Sequence, residues 1–374
     1  MGIREILNEG AGIFARNIRV KIRGFRKYDG NDGQICKKII ESCFDGKRKC
    51  FNASDGNYRV FYSRDFGWCI QPLINLGYKK HVDETLKYTV ESYVKNDDIT
   101  VAINRRGKAF NFPDIYSPDS VAYFFRSLRI AKSRDLIIKH KAFLESQIIK
   151  FAKTVLEKDG SLKAHNFSGM RDHAKNTRLC YDMIMACMLC AEIDMINKTL
   201  GKGKILLENP LKKYDLKDNL MIYWDRKGYF NDSISDKYCS GHANVYPYFL
   251  GIINDKKIIK SSVSSIRAAG LDKPLPLKYG YSRSTKFLWY DIFSHDWEKT
   301  TNWAMLGLAY IEVVSMIDKK LARSYLMLYK KKIEEYRSFI ELYDDGKPYE
   351  SIFFSADDSM LWASMYLDLK NRLR

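Results

Sequence analysis

The sequence predicts an all-α protein, an (α/α)6 toroid built as a ring of six helical hairpins, with a short N-terminal basic extension. Two observations predict it. Six apolar, helix-like segments each open on a short polar cluster: Ser63-Arg64-Asp65-Phe66-Gly67-Trp68, Ser117-Pro118-Asp119-Ser120, Gly169-Met170-Arg171-Asp172-His173, Ser240-Gly241-His242-Ala243-Asn244, Lys299-Thr300-Thr301-Asn302-Trp303 and Ser355-Ala356-Asp357-Asp358-Ser359. Successive clusters lie roughly 50 to 70 residues apart, the length of two helices and their turns. Between them run longer, lysine-rich amphipathic stretches. Alternation of an apolar helix with an amphipathic one places the apolar members inside and the amphipathic members outside. Each inner helix then carries its polar cluster to one end of the ring, and the six clusters meet at a common mouth.

The elements follow in order. Residues 1–30 are basic, and the alternation of Ile18, Val20 and Ile22 suggests a short strand or an arm. The first hairpin pairs an outer helix over Gly33–Phe44 with an inner one that begins after Arg64-Asp65 and stops at Gly77. The second pairs Lys79–Lys95 with Ser120–Ala131, with Pro118 at the helix start and Ser117 or Asp119 as its cap. The third pairs Ser133–Lys158 with Asn176–Ile196 across the turn Lys158-Asp159-Gly160. In the fourth, the outer stretch Gly201–Tyr238 is irregular and holds the aromatic loop from Tyr223 to Asp232, ahead of an inner helix over Ala243–Ile253. The fifth pairs Lys256–Ala269 with Trp303–Met316, again behind an aromatic loop, Tyr279–Trp297; the sixth pairs Lys319–Leu342 with Ser359–Leu369.

A chain of 374 residues with 46% hydrophobic residues can bury a large core. Length alone suggests two domains, but a closed ring of six hairpins uses residues 31–374 as one catalytic-type domain. The formal net charge is +18. Its lysines are spread over the outer-helix stretches and interleaved with Glu and Asp, so a solvated surface explains them and a nucleic-acid partner is not expected. The compact basic run is Arg16–Lys27, and binding of an anionic polymer there is the competing use of it. Eight cysteines show no metal-ligand spacing, and Cys187-x-x-Cys190 sits inside the apolar run Met183–Ala191. Cys43 and Cys50 flank a basic turn and are a candidate pair; the others read as core thiols in a reducing compartment. No signal-peptide-like or membrane-spanning run occurs, so a cytoplasmic protein is expected. Neither a Gly-rich phosphate loop, a Gly-x-Ser-x-Gly elbow nor a His-x-x-x-His or His-Glu-x-x-His pattern appears, and no metal or cofactor is expected.

The ordered clusters resemble the six-hairpin (α/α)6 glycosidases, the glucoamylases, trehalases and neutral invertases, over about residues 58–370. Tyr62-Ser63-Arg64-Asp65-Phe66-Gly67-Trp68 is similar to the Arg-Asp pair that opens the first inner helix of glucoamylases, and to the Arg-Asp-Phe of neutral invertases. Ser117-Pro118-Asp119-Ser120 resembles the Pro-Val-Asp-Ser stretch of the invertases. Asn166-Phe167-Ser168-Gly169-Met170-Arg171-Asp172 resembles the Ser-Gly-x-Asp segment that carries the general acid in trehalase-like members, with Arg171 as an extra residue. Glu341-Leu342-Tyr343-Asp344 is similar to the Glu-x-Tyr-Asp segment that bears the general base.

The resemblance implies an inverting glycoside hydrolase acting on a small α-glucoside or oligosaccharide. Inversion needs two carboxyl groups about 6.5–9.5 Å apart, one protonating the leaving oxygen and one activating water on the opposite face. Asp172 is the first candidate acid and Asp119 the second; Glu341 is the candidate base, with Glu350 in the same loop as an alternative. Either aspartate also suits an ordinary helix cap, and Glu341 suits the solvated end of an amphipathic helix, followed by an Asp344-Asp345-Gly346 turn. Arg64 and Asp65 suit a clamp on sugar hydroxyls, or an internal ion pair at a helix start. Trp68, Arg171, His242 and Trp303 complete the candidate sugar-binding set, with Tyr116, Trp224, Trp289 and Trp297 as further mouth aromatics and His165, His173 and His295 as further mouth histidines. Aromatic faces stack on sugar C–H faces, although in a ring of helices most aromatics are core. The competing readings are a toroid that binds carbohydrate without hydrolysing it, and a lyase or epimerase using a Tyr/His or His pair.

Overall fold

The structure is a computed structural model and describes residues 3–112, 114–171, 177–200, 206–280 and 296–374, with side chains from residue 12 onward. Among these residues, fourteen α-helices dominate. They are α1 (Ile3–Arg23), α2 (Asp32–Ser42), α3 (Ser63–Asn75), α4 (Lys79–Asn96), α5 (Pro118–Ile130), α6 (Arg134–Lys139), α7 (Lys141–Val155), α8 (Cys180–Leu200), α9 (Leu216–Met221), α10 (Tyr246–Phe249), α11 (Lys256–Ala268), α12 (Ala304–Ser315), α13 (Lys319–Tyr336) and α14 (Ala363–Arg372).

Six of them close a ring. α3 packs on α5, α5 on α8, α8 on α10, α10 on α12, α12 on α14, and α14 returns to α3. The most apolar of them is α12, which reads Ala-Met-Leu-Gly-Leu-Ala-Tyr-Ile, all buried. The helices preceding each of them bury one stripe. In α4 it is Val82, Leu86, Val90 and Tyr93, at the spacing of an amphipathic helix turned toward a core. The expected (α/α)6 architecture is therefore present. No described helix is long and apolar enough to cross a membrane.

Three differences from expectation have local causes. The described part of residues 1–30 is not a strand or arm: α1 is a 21-residue helix. Its inward residues are Arg16, Asn17 and Val20, at helical spacing, while Ile18 and Ile22 point to solvent. The sixth outer helix stops at Tyr336 rather than Leu342, because Arg337 turns left-handed at φ 54°. The fourth inner helix shrinks to Tyr246–Phe249, ended by Gly251 at φ 72°.

Short strands stitch the mouth end. They are β1 (Phe44–Asp45), β2 (Cys50–Phe51), β3 (Phe61–Tyr62), β4 (Ala102–Ile103), β5 (Ala109–Phe110), β6 (Trp224–Asp225), β7 (Tyr229–Phe230), β8 (Asn302–Trp303), β9 (Leu342–Asp344) and β10 (Lys347–Pro348). Order β3-β4-β5 ties the first hairpin to the second, and β10-β9-β8 ties the sixth to the fifth. Asp345 and Gly346, both at positive φ, make the β9–β10 turn that the Asp-Gly pair predicts. Cys43 and Cys50 are free thiols, not a disulfide.

Candidate active site

Five of the six inner helices, or the segments before them, contribute aromatic rings to the mouth end. Tyr181, His242, Tyr279, Trp303, Trp362, Trp68 and Tyr246 form a closed collar in which neighbouring centroids lie 5.4–6.5 Å apart. All seven are buried. Their mostly edge-on contacts are the preferred geometry for rings with negative faces and positive edges. Trp297 stacks on Trp303 from outside the collar.

Carboxyl groups are tied to this collar around its circumference. Asp65, at the first turn of α3, accepts a 2.9 Å hydrogen bond from the Trp362 indole. Asp119, at the first turn of α5, accepts from the Tyr181 hydroxyl at 3.2 Å and from Ser117 Oγ at 2.6 Å. Its Oδ2 also meets Arg64 Nε at 2.8 Å. Arg64 thus pairs with Asp119 across the α3–α5 contact.

A second network joins Arg171, Asp232 and His242. Arg171 Nη2 donates to Asp232 Oδ2 at 2.6 Å and Nη1 to the Tyr238 hydroxyl at 3.0 Å. His242 Nε2 lies 3.4 Å from Asp232 Oδ1. Burial opposes the Asp232 charge, but Arg171 and His242 outweigh it and hold the carboxyl below its usual range. His242 goes the other way: burial, then the Arg171 charge, depress it to about 3, so the imidazole is neutral. Asp172, His173, Trp289 and His295 lie outside the described residues.

Two buried carboxyls hold their protons unusually well. Asp182, in the first turn of α8, is pushed well above the usual range by burial and then by the Asp119 charge. Glu341, in the segment entering β9, is pushed up to about 8 by burial and then by Asp357. It is no solvated helix end: it is 2% exposed. The Asp357 backbone N–H donates to Glu341 Oε2 at 2.9 Å, and the Glu341 N–H donates to the Asp357 carbonyl at 2.9 Å. Tyr58 supplies a further hydrogen bond that favours the charged form. The register of β8 on β9 sets Trp303 beside Leu342, so Glu341 adjoins the collar. Glu350 is exposed. It lines a cleft of about 720 Å³ with Phe25, Leu275, Lys331 and Asp345.

Sequence reasoning missed Asp182, Asp232, Tyr58, Tyr279 and Trp362. Asp182 carried a usable signal, being a lone charge within the buried run Cys180–Leu189. Of the residues expected at the mouth, Trp224 instead packs edge-on against Phe230 in the β6–β7 hairpin, while Tyr116 and His165 gather around Phe167.

No protein-family model and no curated protein matches this sequence. Solved structures do match. A glycosidase variant in complex with glucose aligns with a TM-score of 0.68 at 10% identity, covering 98% of this chain and 98% of that one. The glucoamylase of Hormoconis resinae aligns at 0.62 and 11% identity, over 92% of this chain and 72% of its own. A metal-independent alpha mannosidase of Streptococcus pneumoniae, in a non-productive complex with alpha-1,6-mannobiose, aligns at 0.58 and 12% identity over 99% and 98%. With its inner ring closed and its mouth at the head of the inner helices, this chain has the six-hairpin (α/α)6 fold shared with these glycosidases.

Proposed function

We propose that the protein is an inverting glycoside hydrolase for a small α-glucoside or oligosaccharide, with carboxyl groups as its general acid and base. The observation that carries this reading is the pair Asp182 and Glu341. Both are buried beside an aromatic collar, and both are lifted out of the ordinary carboxyl range by burial. Their ring positions are opposed, since α8 and α14 stand three places apart in the cycle of six. Opposed carboxyls address opposite faces of one sugar carbon, as inversion requires.

In this reading Asp182 is the acid and Glu341 the base. Glu341 must lose its proton before it can take one from water, so kcat/KM should rise with pH through about 8. Arg64 with Asp65, and Arg171 with His242, supply donors and acceptors for sugar hydroxyls. Trp68 and Trp303 supply apolar faces.

The test is hydrolysis of a panel of disaccharides and aryl α-glycosides, with the product anomer read by NMR. A β product from an α substrate supports inversion, and retention sinks it. Loss of the acid should hurt poor leaving groups far more than activated aryl glycosides. If that selective loss follows Asp172→Asn or Asp119→Asn rather than Asp182→Asn, the acid is reassigned to that residue. A second reading, a lyase or epimerase, rests on neutral His242 set between the Tyr181 and Tyr279 rings. Turnover that survives loss of Glu341 and of each aspartate, but not of His242 or Tyr279, would select it.

A further inference from the structure

Helix α1 lies outside the six hairpins, yet it is fastened to the segment that faces Glu341. Arg16 is 8% exposed. Its Nη1 donates to the Ser355 carbonyl and its Nη2 to the Ala356 carbonyl, each at 3.1 Å. Nη2 also lies 3.0 Å from Asp358 Oδ1 and 3.9 Å from Asp357 Oδ1. Asn17 Nδ2 donates to the Ile352 carbonyl at 2.8 Å and its Oδ1 accepts from Ser355 Oγ at 2.7 Å. Lys21 donates to the Ile352 carbonyl at 2.9 Å. The same segment grips Glu341 through the two Asp357 backbone bonds described above.

We propose that α1 is a working part of the site and that Arg16 is a positioning residue for Glu341. Its fork holds the 355–358 turn in the shape that presents the Asp357 N–H to the Glu341 carboxylate, and its charge offsets Asp357 and Asp358. This rests on the reading of Glu341 as a catalytic carboxyl.

Charge bookkeeping around Glu341 explains why a cation is needed. Asp357 faces it from the 351–359 segment, Tyr58 from the segment between β2 and β3, and Arg16, itself paired with Asp358, from α1. Asp357 raises the proton affinity of Glu341, while Arg16 and Tyr58 lower it. A base buried next to a second carboxylate ionises only if a positive charge is close. Arginine rather than lysine fits, because one planar fork spans two carbonyls and two carboxylates at once.

The experiment uses the full chain with Arg16→Met and Arg16→Lys. Two readouts are taken: the pH profile of kcat/KM on an aryl glycoside, and the unfolding stability of each protein minus that of its Glu341→Gln derivative from pH 5 to 9. The second reads the Glu341 titration without substrate. Arg16→Met should move both transitions to higher pH and lower kcat/KM near neutral pH about tenfold, one unit of proton affinity being a factor of ten. Arg16→Lys should keep the transitions near their wild-type position while kcat falls. A uniform loss of melting temperature with both transitions unmoved overturns the proposal and leaves α1 as a structural strap. If Arg16→Met does not fold, Arg16→Lys decides alone, and an unchanged kcat overturns it. Full activity in Glu341→Gln would instead remove the catalytic reading of Glu341, while the stability titration still judges Arg16.

Discussion

Glu341 and Asp119 are both buried at inner-helix mouths, among neighbours of opposite character. Asp119 meets a guanidinium, a phenol and a hydroxyl. Glu341 keeps its proton through burial first and the Asp357 charge second, with the Asp357 N–H, Arg16 and Tyr58 working against them. Linkage makes this measurable. The folded state holds a Glu341 proton that the unfolded chain gives up above about pH 4.5, so this group costs stability increasingly from there to about pH 8. Glu341→Gln should therefore stabilise the fold by an amount that grows across that window to a few kcal/mol and then levels off, while kcat/KM falls at least about a thousandfold. Chemical denaturation at several pH values checks it. Loss of Asp65 is expected to act differently: Asp65→Ala frees the Trp362 indole and removes a hydroxyl acceptor, so activity should drop by orders of magnitude with little change in melting temperature. Large destabilisation with activity kept would make Asp65 a structural residue. The polar clusters were legible because they recur. Asp182 was legible only as a lone acid inside Cys180–Leu189; what raises its proton affinity, burial and then Asp119 some sixty residues away, is set by the ring and not by its sequence neighbours.

At the scale of elements, the inner helices were legible through continuous apolarity and the outer ones through their stripe. Two-residue strands left no trace, since a period cannot be read from two positions. The end of α13 at Arg337 is a backbone event that no side-chain pattern announces. α1 misled because Ile18, Val20 and Ile22 alternate, whereas the spacing that decides its burial is Ile13, Arg16-Asn17 and Val20. Gly67 was quoted within a motif, but its role is contact. A Cβ there would sit 2.6 Å from Tyr123 Cβ, so α3 and α5 approach as closely as they do because residue 67 has no side chain. Gly67→Ala should destabilise by about 1–3 kcal/mol through overpacking, visible as a lower melting temperature. An unchanged melting temperature would mean the helices can separate without cost.

The whole molecule hides its thiols and spends its charge outward. Seven of the eight cysteines are buried and Cys190 is half-buried, and burial pushes every one of them up in proton affinity. Native protein should show at most one thiol, Cys190, reacting readily with Ellman's reagent, against eight after unfolding. Fast reaction of several would show that the ring opens. Closure of the ring is ordered in time. The seam is made by residues from opposite ends of the chain: Asp32 of α2 binds Tyr366 and Lys370 of α14, and α14 docks on α3. During synthesis α3 is finished long before α14 exists, and until then α3 and α12 each hold out an uncovered apolar flank. The vacant seat between them is defined by shape, not by which chain fills it. In a crowded population of half-made molecules the α14 of a neighbour fits as well as the native one, and helix exchange between copies becomes the characteristic misassembly of such a circle.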